Sequence, residues 1–177
     1  MWLNNQEPNN QGTKNHELCV RDGGSGDDWL YGGAGDDTIL FYGANGGADW
    51  IEAGSGNDRM LGSAGDDVLV LKDFTPVNSV ELIDGDGGYN RITGAASADT
   101  LDFSATRLIA IAQIEGMAGN DRITGTQDAE VFIGGLGNDT YVVDNQGDLV
   151  LEAGSAGTDT VESSLSYVLG TNLENLL

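Results

Sequence analysis

A phrase of nine residues recurs along this chain, and it constrains the fold more than any other feature. Gly23–Tyr31 reads GGSGDDWLY, Gly32–Leu40 reads GGAGDDTIL and Gly134–Val142 reads GGLGNDTYV. With the first Gly as position 1, Asp stands at position 6 and an apolar residue at position 8. The regular units are 23–31, 32–40, 44–52, 53–61 and 62–70, with Phe41-Tyr42-Gly43 inserted after the second. A less regular set covers 85–93, 94–102, 116–124, 125–133, 134–142 and 154–162. A fixed short period is the signature of a repeat architecture. Position 8 provides an independent check. In the nine units with Asp at position 6 it is Leu30, Ile39, Ile51, Met60, Leu69, Leu101, Ile123, Tyr141 or Val161, although only 39% of the chain is hydrophobic. Chance would produce that on the order of 10⁻⁴ of the time. A flexible Gly-rich linker would keep no such period.

Each unit divides into a six-residue turn and a three-residue strand. Gly at positions 1, 2 and 4 (Gly23, Gly24, Gly26; Gly32, Gly33, Gly35; Gly134, Gly135, Gly137) permits backbone angles closed to other residues and lets backbone or an ion approach. Positions 7 to 9 alternate out, in, out, so only position 8 needs to be apolar. A strand this short is unstable alone, so the units must stack.

The phrase G-G-x-G-x-D-x-U-x, with U apolar, resembles the calcium-binding nonapeptide of RTX (repeats-in-toxin, hemolysin-type) proteins, over roughly residues 23–177. The resemblance implies an all-β chain, a parallel β-roll (right-handed β-solenoid) of stacked nonapeptide repeats in two blocks. Consecutive units would alternate sides, about 18 residues per coil. Alternation pairs Asp28 with Asp49, Asp37 with Asp58, Asp49 with Asp67 and Asp121 with Asp139. The implied cofactor is Ca²⁺, several ions. The implied ligands are Asp28, Asp37, Asp49, Asp58, Asp67, Asp99, Asp121 and Asp139, with the glycine turns named above. Stacked strands lie ~4.8 Å apart, about twice a calcium–oxygen distance of ~2.3–2.6 Å. Without the ion, two carboxylates that close repel by ~3.5 kcal/mol at an effective dielectric of 20. Several such pairs would exceed a net stability of ~5–15 kcal/mol. The chain is therefore expected to be unfolded without calcium and folded with it.

Departures from the phrase mark weaker turns. Asn90 and Glu130 replace the position-6 Asp, and Ser97 and Asp128 the position-4 Gly. Calcium is not expected at 85–93 and 125–133, and 94–102 is intermediate. Asp84-Gly85-Asp86 begins like an EF-hand loop, but Gly88 and Ala95 fill ligand positions, which rejects that reading.

The chain carries 29 acidic and 7 basic residues, a formal net charge of −22. Nucleic acid is excluded as a partner, since binding it needs a basic surface. The single Cys19 rules out an internal disulfide framework. The longest apolar run, Leu108–Ile114, is too short to span a membrane. The N-terminus lacks the charged and apolar regions of a signal peptide. The resemblance implies secretion from a Gram-negative bacterium by a type I system with an uncleaved C-terminal signal, and an extracellular or cell-surface location. Residues 118–177, with Arg122 as their one basic residue, suit such a signal.

Five segments are expected. They are a loose segment at 1–22, a first roll block at 23–70, a connector at 71–84, a second, irregular block at 85–162, and a C-terminal strand or tail at 163–177. Phe103–Glu115 reads as an interruption carrying one longer strand, Leu108–Ile114. The alternation Val161, Ser163, Leu165, Tyr167, Leu169 reads as strand. Asn172–Leu177 reads as a strand cut off mid-pattern, so a fragment is expected.

No catalytic constellation stands in the chain. One His (His16) forbids HExxH, and His16 with Cys19 is too few ligands for zinc. There is no GxSxG elbow and no GxxxxGK. The chain is therefore read as non-enzymatic. The alternatives are a C-terminal repeat module of a secreted protease, lipase or alginate epimerase, whose catalytic domain lies outside this chain, or an adhesin segment binding a glycan. Trp29 and Trp50, both at position 7, are expected side by side with Tyr31 nearby. They are either covered by residues 1–22 or 71–82, or they form a sugar-stacking or protein-binding surface.

Overall fold

The structure, a computed structural model, describes residues 19–21, 26–42 and 47–177. Gly23, Gly24, His16 and residues 1–18 lie outside the described residues. The first strands are β1 (Cys19–Arg21), β2 (Trp29–Ala34), β3 (Thr38–Leu40), β4 (Trp50–Ser55), β5 (Arg59–Leu61) and β6 (Val68–Val70). A single 3₁₀ turn at Pro76–Asn78 precedes β7 (Leu82–Asp84), β8 (Asn90–Thr93), β9 (Thr100–Asp102), β10 (Arg107–Ile109) and β11 (Ile111–Ala118). The remaining strands are β12 (Arg122–Thr124), β13 (Val131–Leu136), β14 (Thr140–Val143), β15 (Leu149–Leu151), β16 (Thr160–Ser163) and β17 (Asn175–Leu176). Every pairing among them is parallel. The chain is a β-solenoid of stacked repeats, as the periodicity requires. No helix among the described residues is long and apolar enough to cross a membrane.

Position 8 builds the core. All nine of its apolar residues are buried, none more than 7% exposed. Flanking positions turn outward, as in β5, where Met60 is buried, Arg59 exposed and Leu61 half-buried. The period of two thus operates within three residues, and stacking supplies the cooperativity that each strand lacks.

The solenoid changes cross-section along its length. Early strands alternate between sheet β1-β3-β5-β7-β10 and the pair β2-β4. Late strands alternate between β6-β8-β11-β13-β15 and β9-β12-β14-β16-β17. Between them the chain visits three faces per coil. Leu71–Phe74 joins the β2-β4 face to the β9 face through the bridges Asp49↔Leu71 and Phe74↔Leu101. Residues 71–84, expected as a connector, are thus built into the solenoid. Leu71, Phe74, Val80 and Ile83 are buried in the hydrophobic cluster that, among the described residues, runs from Leu30 to Leu173. Phe74 stacks on Phe103 with ring centroids 5.0 Å apart.

Four expectations on the strands change. Residues 19–21, inside the segment read as loose, form β1 against β3. The single strand expected at Leu108–Ile114 is two, on different sheets. Ala110, at φ 54°, makes the corner between β10 and β11. The alternation after Val161 continues as strand only to Ser163, while Tyr167 and Leu169 pack against the core outside any strand. Asn175–Leu176 closes on β16 as a two-residue strand.

Candidate metal centre

The position-6 side chains form columns along the turns. In five pairs the Oδ1 of one position-6 aspartate accepts the amide of the position-6 aspartate one coil earlier. Asp28 N–H donates to Asp49 at 3.0 Å and Asp37 N–H to Asp58 at 2.7 Å. Asp99 N–H donates to Asp121, Asp121 N–H to Asp139 and Asp139 N–H to Asp159, each at 2.8 Å. Three expected pairs, Asp28/Asp49, Asp37/Asp58 and Asp121/Asp139, are therefore in place. The fourth, Asp49/Asp67, is not. After β4, the next position on that face belongs to Leu71, and β6 opens another sheet on β8. Asp67 N–H donates instead to Asn90 Oδ1 at 2.9 Å. Asp49 consequently serves one carboxylate pair, not two.

Acids outside the repeat complete the columns. Asp58 N–H donates to Glu81 Oε2 at 2.6 Å, Asp159 N–H to Glu174 Oε2 at 2.8 Å, and Glu130 N–H to Asp148 Oδ1 at 3.1 Å. Glu81 and Glu174 escape a reading by period because they stand at no repeat position. Asp159 stands at position 6 of unit 154–162 and joins the column without being among the expected ligands.

The second carboxylate oxygen carries the chemistry. Asp28, Asp58, Asp121 and Asp139 each hold a buried Oδ2 with no hydrogen-bond partner. Such an oxygen costs roughly 1–3 kcal/mol, more when charged, unless something fills the gap. In the Asp121 and Asp139 units position 1 is glycine for lack of room, whereas the Asp58 unit carries Ala53 there. A Cβ on Gly116 would stand 2.5 Å from Asp121 Oδ2 and 2.7 Å from the Gly134 carbonyl. A Cβ on Gly32 would stand 2.6 Å from Asp37 Oδ2. A carboxylate oxygen and a carbonyl from the next coil thus flank one small space. Gly137, at φ 128°, lies so close to the Gly119 carbonyl that a Cβ there would collide.

Position 2 decides whether that oxygen stays unpartnered. Gly54, Met117 and Gly135 all have φ between 80° and 110°. This orientation turns the position-1 carbonyl toward the turn. Ser63 and Ala95 lack it, and their amides point inward instead. Ser63 N–H donates to Asp67 Oδ2 and Ala95 N–H to Asp99 Oδ2, both at 2.6 Å. Asp67 and Asp99, expected as ligands, therefore have that oxygen engaged by their own turns. Ser63 and Ala95 stand where the full phrase has Gly, a visible signal that a reading of position 6 alone passes over.

Asn90 shows what the open turns lack. It is fully buried, and its Nδ2 donates to the carbonyls of Gly85 (2.9 Å), Gly87 (2.9 Å) and Ala110 (3.1 Å). Asp86 at position 2 has φ 60°, positive as in the open carboxylate turns. The amide supplies the positive end that these three oxygens require. In turn 85–90 these carbonyls are thus engaged by the turn's own side chain. Glu130 differs: Thr126 Oγ1 donates to its Oε1, while its Oε2 is buried without a partner.

Electrostatics agree. Burial pushes the Asp121 carboxyl up to about 7, with the Asp139 and Asp99 charges adding to it. Burial likewise pushes Glu130 up to about 7, with Asp148 and Asp144 adding. Asp58 is raised by burial and then by Asp37 and Glu81, and Asp139 by burial and then by Asp159. The ion pairs Arg91–Glu115 (3.1 Å) and Arg122–Glu162 (2.7 Å) lie on the strands, not in these turns. Buried carboxylates beside converging carbonyls form an all-oxygen donor set, which suits a hard cation of the calcium class.

The aromatic pair forms as expected. Trp29 and Trp50 share one register, with ring centroids 5.2 Å apart and planes 12° apart. Lys72 Nζ sits 4.7 Å from the centre of the Trp50 ring, so residues 71–82 cover part of that ring. Trp29 remains 67% exposed and Tyr31 44%.

The family model for the RTX calcium-binding nonapeptide repeat (4 copies) matches residues 22–41, 43–72, 78–105 and 113–141, more than half of the chain. Among curated proteins, the endo-1,3-1,4-beta-glycanase ExsH of Rhizobium meliloti (strain 1021) is 39% identical over 64 residues. That stretch covers 36% of this chain and 14% of the glycanase. No solved structure matches the chain significantly.

Proposed function

The chain belongs to the RTX calcium-binding nonapeptide repeat family, and from that premise we propose that it is a module that folds on calcium after its protein leaves the cell. The observation that carries this reading is the set of buried, unpartnered Oδ2 atoms of Asp28, Asp58, Asp121 and Asp139. With Asp37 and Asp49 in the same columns, these residues would hold the ions, together with position-1 carbonyls. Bound calcium supplies positive charge between carboxylates that otherwise face each other across coils. The chain's own part is to orient those oxygens: position-6 amides fix Oδ1 of the next coil, and position-2 geometry leaves Oδ2 available.

Extracellular calcium modules bind at ~10⁻⁴–10⁻³ M, a range suited to a switch thrown by export. A type I route and a Gram-negative source belong to this proposal. Sites shared between neighbouring coils should make folding steep in calcium, since each ion bound to the folded form stabilises it by mass action. Circular dichroism should show cooperative gain of β structure with Ca²⁺ and little with equimolar Mg²⁺. A chain fully folded in EDTA refutes the reading.

The partial similarity to a glycanase favours a second reading, in which the module accompanies a secreted carbohydrate-active enzyme whose catalytic part lies outside this chain. Secretion of the full reading frame followed by an assay of β-glucan cleavage tests it; a full-length product without activity counts against it. The exposed Trp29/Trp50/Tyr31 face would then meet sugar rings by stacking. Alanine at Trp29 and Trp50 should abolish glycan retention and leave the calcium transition intact.

A further inference from the structure

The aromatic face is a column of three layers with one open end. Trp29 and Trp50 stand opposite each other on β2 and β4, with ring centroids 5.2 Å apart and planes 12° from parallel. One coil later Leu71 bridges Asp49, and Lys72 Nζ lies 4.7 Å from the centre of the Trp50 ring. Trp50 thus has a ring on one side and a cation on the other. Trp29 heads the column. Among the described residues β2 pairs only with β4, and Trp29 is 67% exposed. Tyr31, also exposed, stands two residues on, on the same side of the strand.

The surroundings of that ring restrict what it can meet. Asp27 is exposed two residues before Trp29, and Glu52, exposed as well, stands opposite Tyr31. No Lys or Arg lies between Arg21 and Arg59 in the sequence, and Lys72 sits on Trp50 at the other end of the column. The described charges beside Trp29 are therefore carboxylates, and like charge disfavours an anionic ligand there. An uncharged sugar ring can lay its C–H face on the indole, while its hydroxyls find acceptors in Asp27 and Glu52.

The column is held by the residue that precedes each tryptophan. Asp28 N–H donates to Asp49 Oδ1 at 3.0 Å, and Trp50 N–H donates to the Asp28 carbonyl at 2.9 Å. Lys72 N–H donates to the Asp49 carbonyl at 3.2 Å. Asp28 and Asp49 thus tie each layer to the next. Asp28 keeps a buried Oδ2 with no hydrogen-bond partner, so the turn that sets the column is one of the open ones. We propose that the free face of Trp29 docks one ring of a neutral polysaccharide, and that the Asp28/Asp49 turn assembles this platform, so that glycan binding follows the calcium-dependent closure of the first coils. The inference rests on the calcium-module and glycan readings, to which it adds the class of glycan and the control of its binding.

The test is affinity electrophoresis of the full chain through a neutral β-glucan or a polyuronate, together with the exciton couplet of the tryptophan pair in circular dichroism. At saturating calcium the neutral glucan should retard the chain and the polyuronate should not. Trp29→Ala should weaken retardation about tenfold with the calcium transition unchanged, whereas Tyr89→Ala, which removes an exposed ring before β8, should retain it. Asp28→Ala should lose both the couplet and the retardation while later coils still gain β structure with calcium. Asp28→Asn brings amide donors of the kind Asn90 uses in its own turn. It should show the couplet at lower calcium than wild type, and it decides the matter if Asp28→Ala fails to fold. Retardation by the polyuronate instead, or equal retardation of wild type and Trp29→Ala by the glucan, would overturn the inference and leave the glycan reading standing. A couplet with wild-type calcium dependence in both Asp28 variants would overturn the control by that turn. A chain that makes its calcium transition and is retarded by neither polymer would overturn the inference and the glycan reading together.

Discussion

Turns 85–90 and 116–121 both have positive φ at positions 2 and 4 and carry different groups at position 6. In the first, the Asn90 amide donates to three carbonyls at 2.9, 2.9 and 3.1 Å. In the second, Asp121 places an acceptor oxygen beside acceptors and leaves it unpartnered. The position is thus filled by a hydrogen-bond donor in one coil and by an unpartnered acceptor in the other. Turns 62–67 and 94–99 form a third kind, closed by their own position-2 amides. The lesson is that these turns need positive charge or its hydrogen-bonding equivalent, and calcium is one of several ways to provide it.

Exchanging the two groups is the strongest way to break the comparison. Asn90→Asp removes three donated hydrogen bonds and adds a buried charge. It should cost about 1–3 kcal/mol at sub-saturating calcium, read from urea unfolding, and add one ion at saturation. Asp121→Asn should act in reverse, removing one ion and easing folding at low calcium by about 1 kcal/mol. If both substitutions shift stability in the same direction, the two turns are not equivalent cradles.

Acidity offers a second lever. A carboxyl whose folded value lies above its unfolded one binds its proton more tightly in the folded chain. Its ionisation therefore destabilises the fold as pH rises from the unfolded value toward the folded one. For Asp121 that window runs from 3.8 to about 7, and for Glu130 from 4.5 to about 7. In calcium-free buffer, β structure should be greater at pH 5 than at pH 8, with protons standing in for calcium. More structure at pH 8, measured by circular dichroism, would contradict the assignment of these carboxyls as uncompensated.

The smallest effect is expected at position 2. Ser63→Gly makes the positive-φ turn accessible and would release Asp67 Oδ2 from the Ser63 amide. Stability should change by no more than about 1 kcal/mol, and the calcium-saturated ion count should rise by one. An unchanged count would separate the position-2 geometry from ion binding.

Much of the architecture was legible from the residues alone. Position 8 named nine core residues, and all nine are buried. Position 6 named the column-forming aspartates, and the Asn90 side chain stands in the same column, its Oδ1 accepting the Asp67 amide. Both readings succeed because the rule is local: a three-residue strand shows one side chain inward, and a turn of fixed length returns the next acid to the same edge. The stacking partner is not local. Counting by alternation paired Asp49 with Asp67, but coil length changes where the solenoid becomes three-sided, and Leu71 takes that place.

The repeat, its apolar stripe and its acidic edge were thus written in the linear order of residues, because each follows from geometry within nine positions. The tertiary structure alone decided which coil rests on which, where Ala110 turns a corner, and which amide or carbonyl faces each carboxylate. It also brought Lys72 onto the Trp50 ring. Those outcomes depend on how peptide planes and distant coils settle against a shared core, and no period along the chain encodes them.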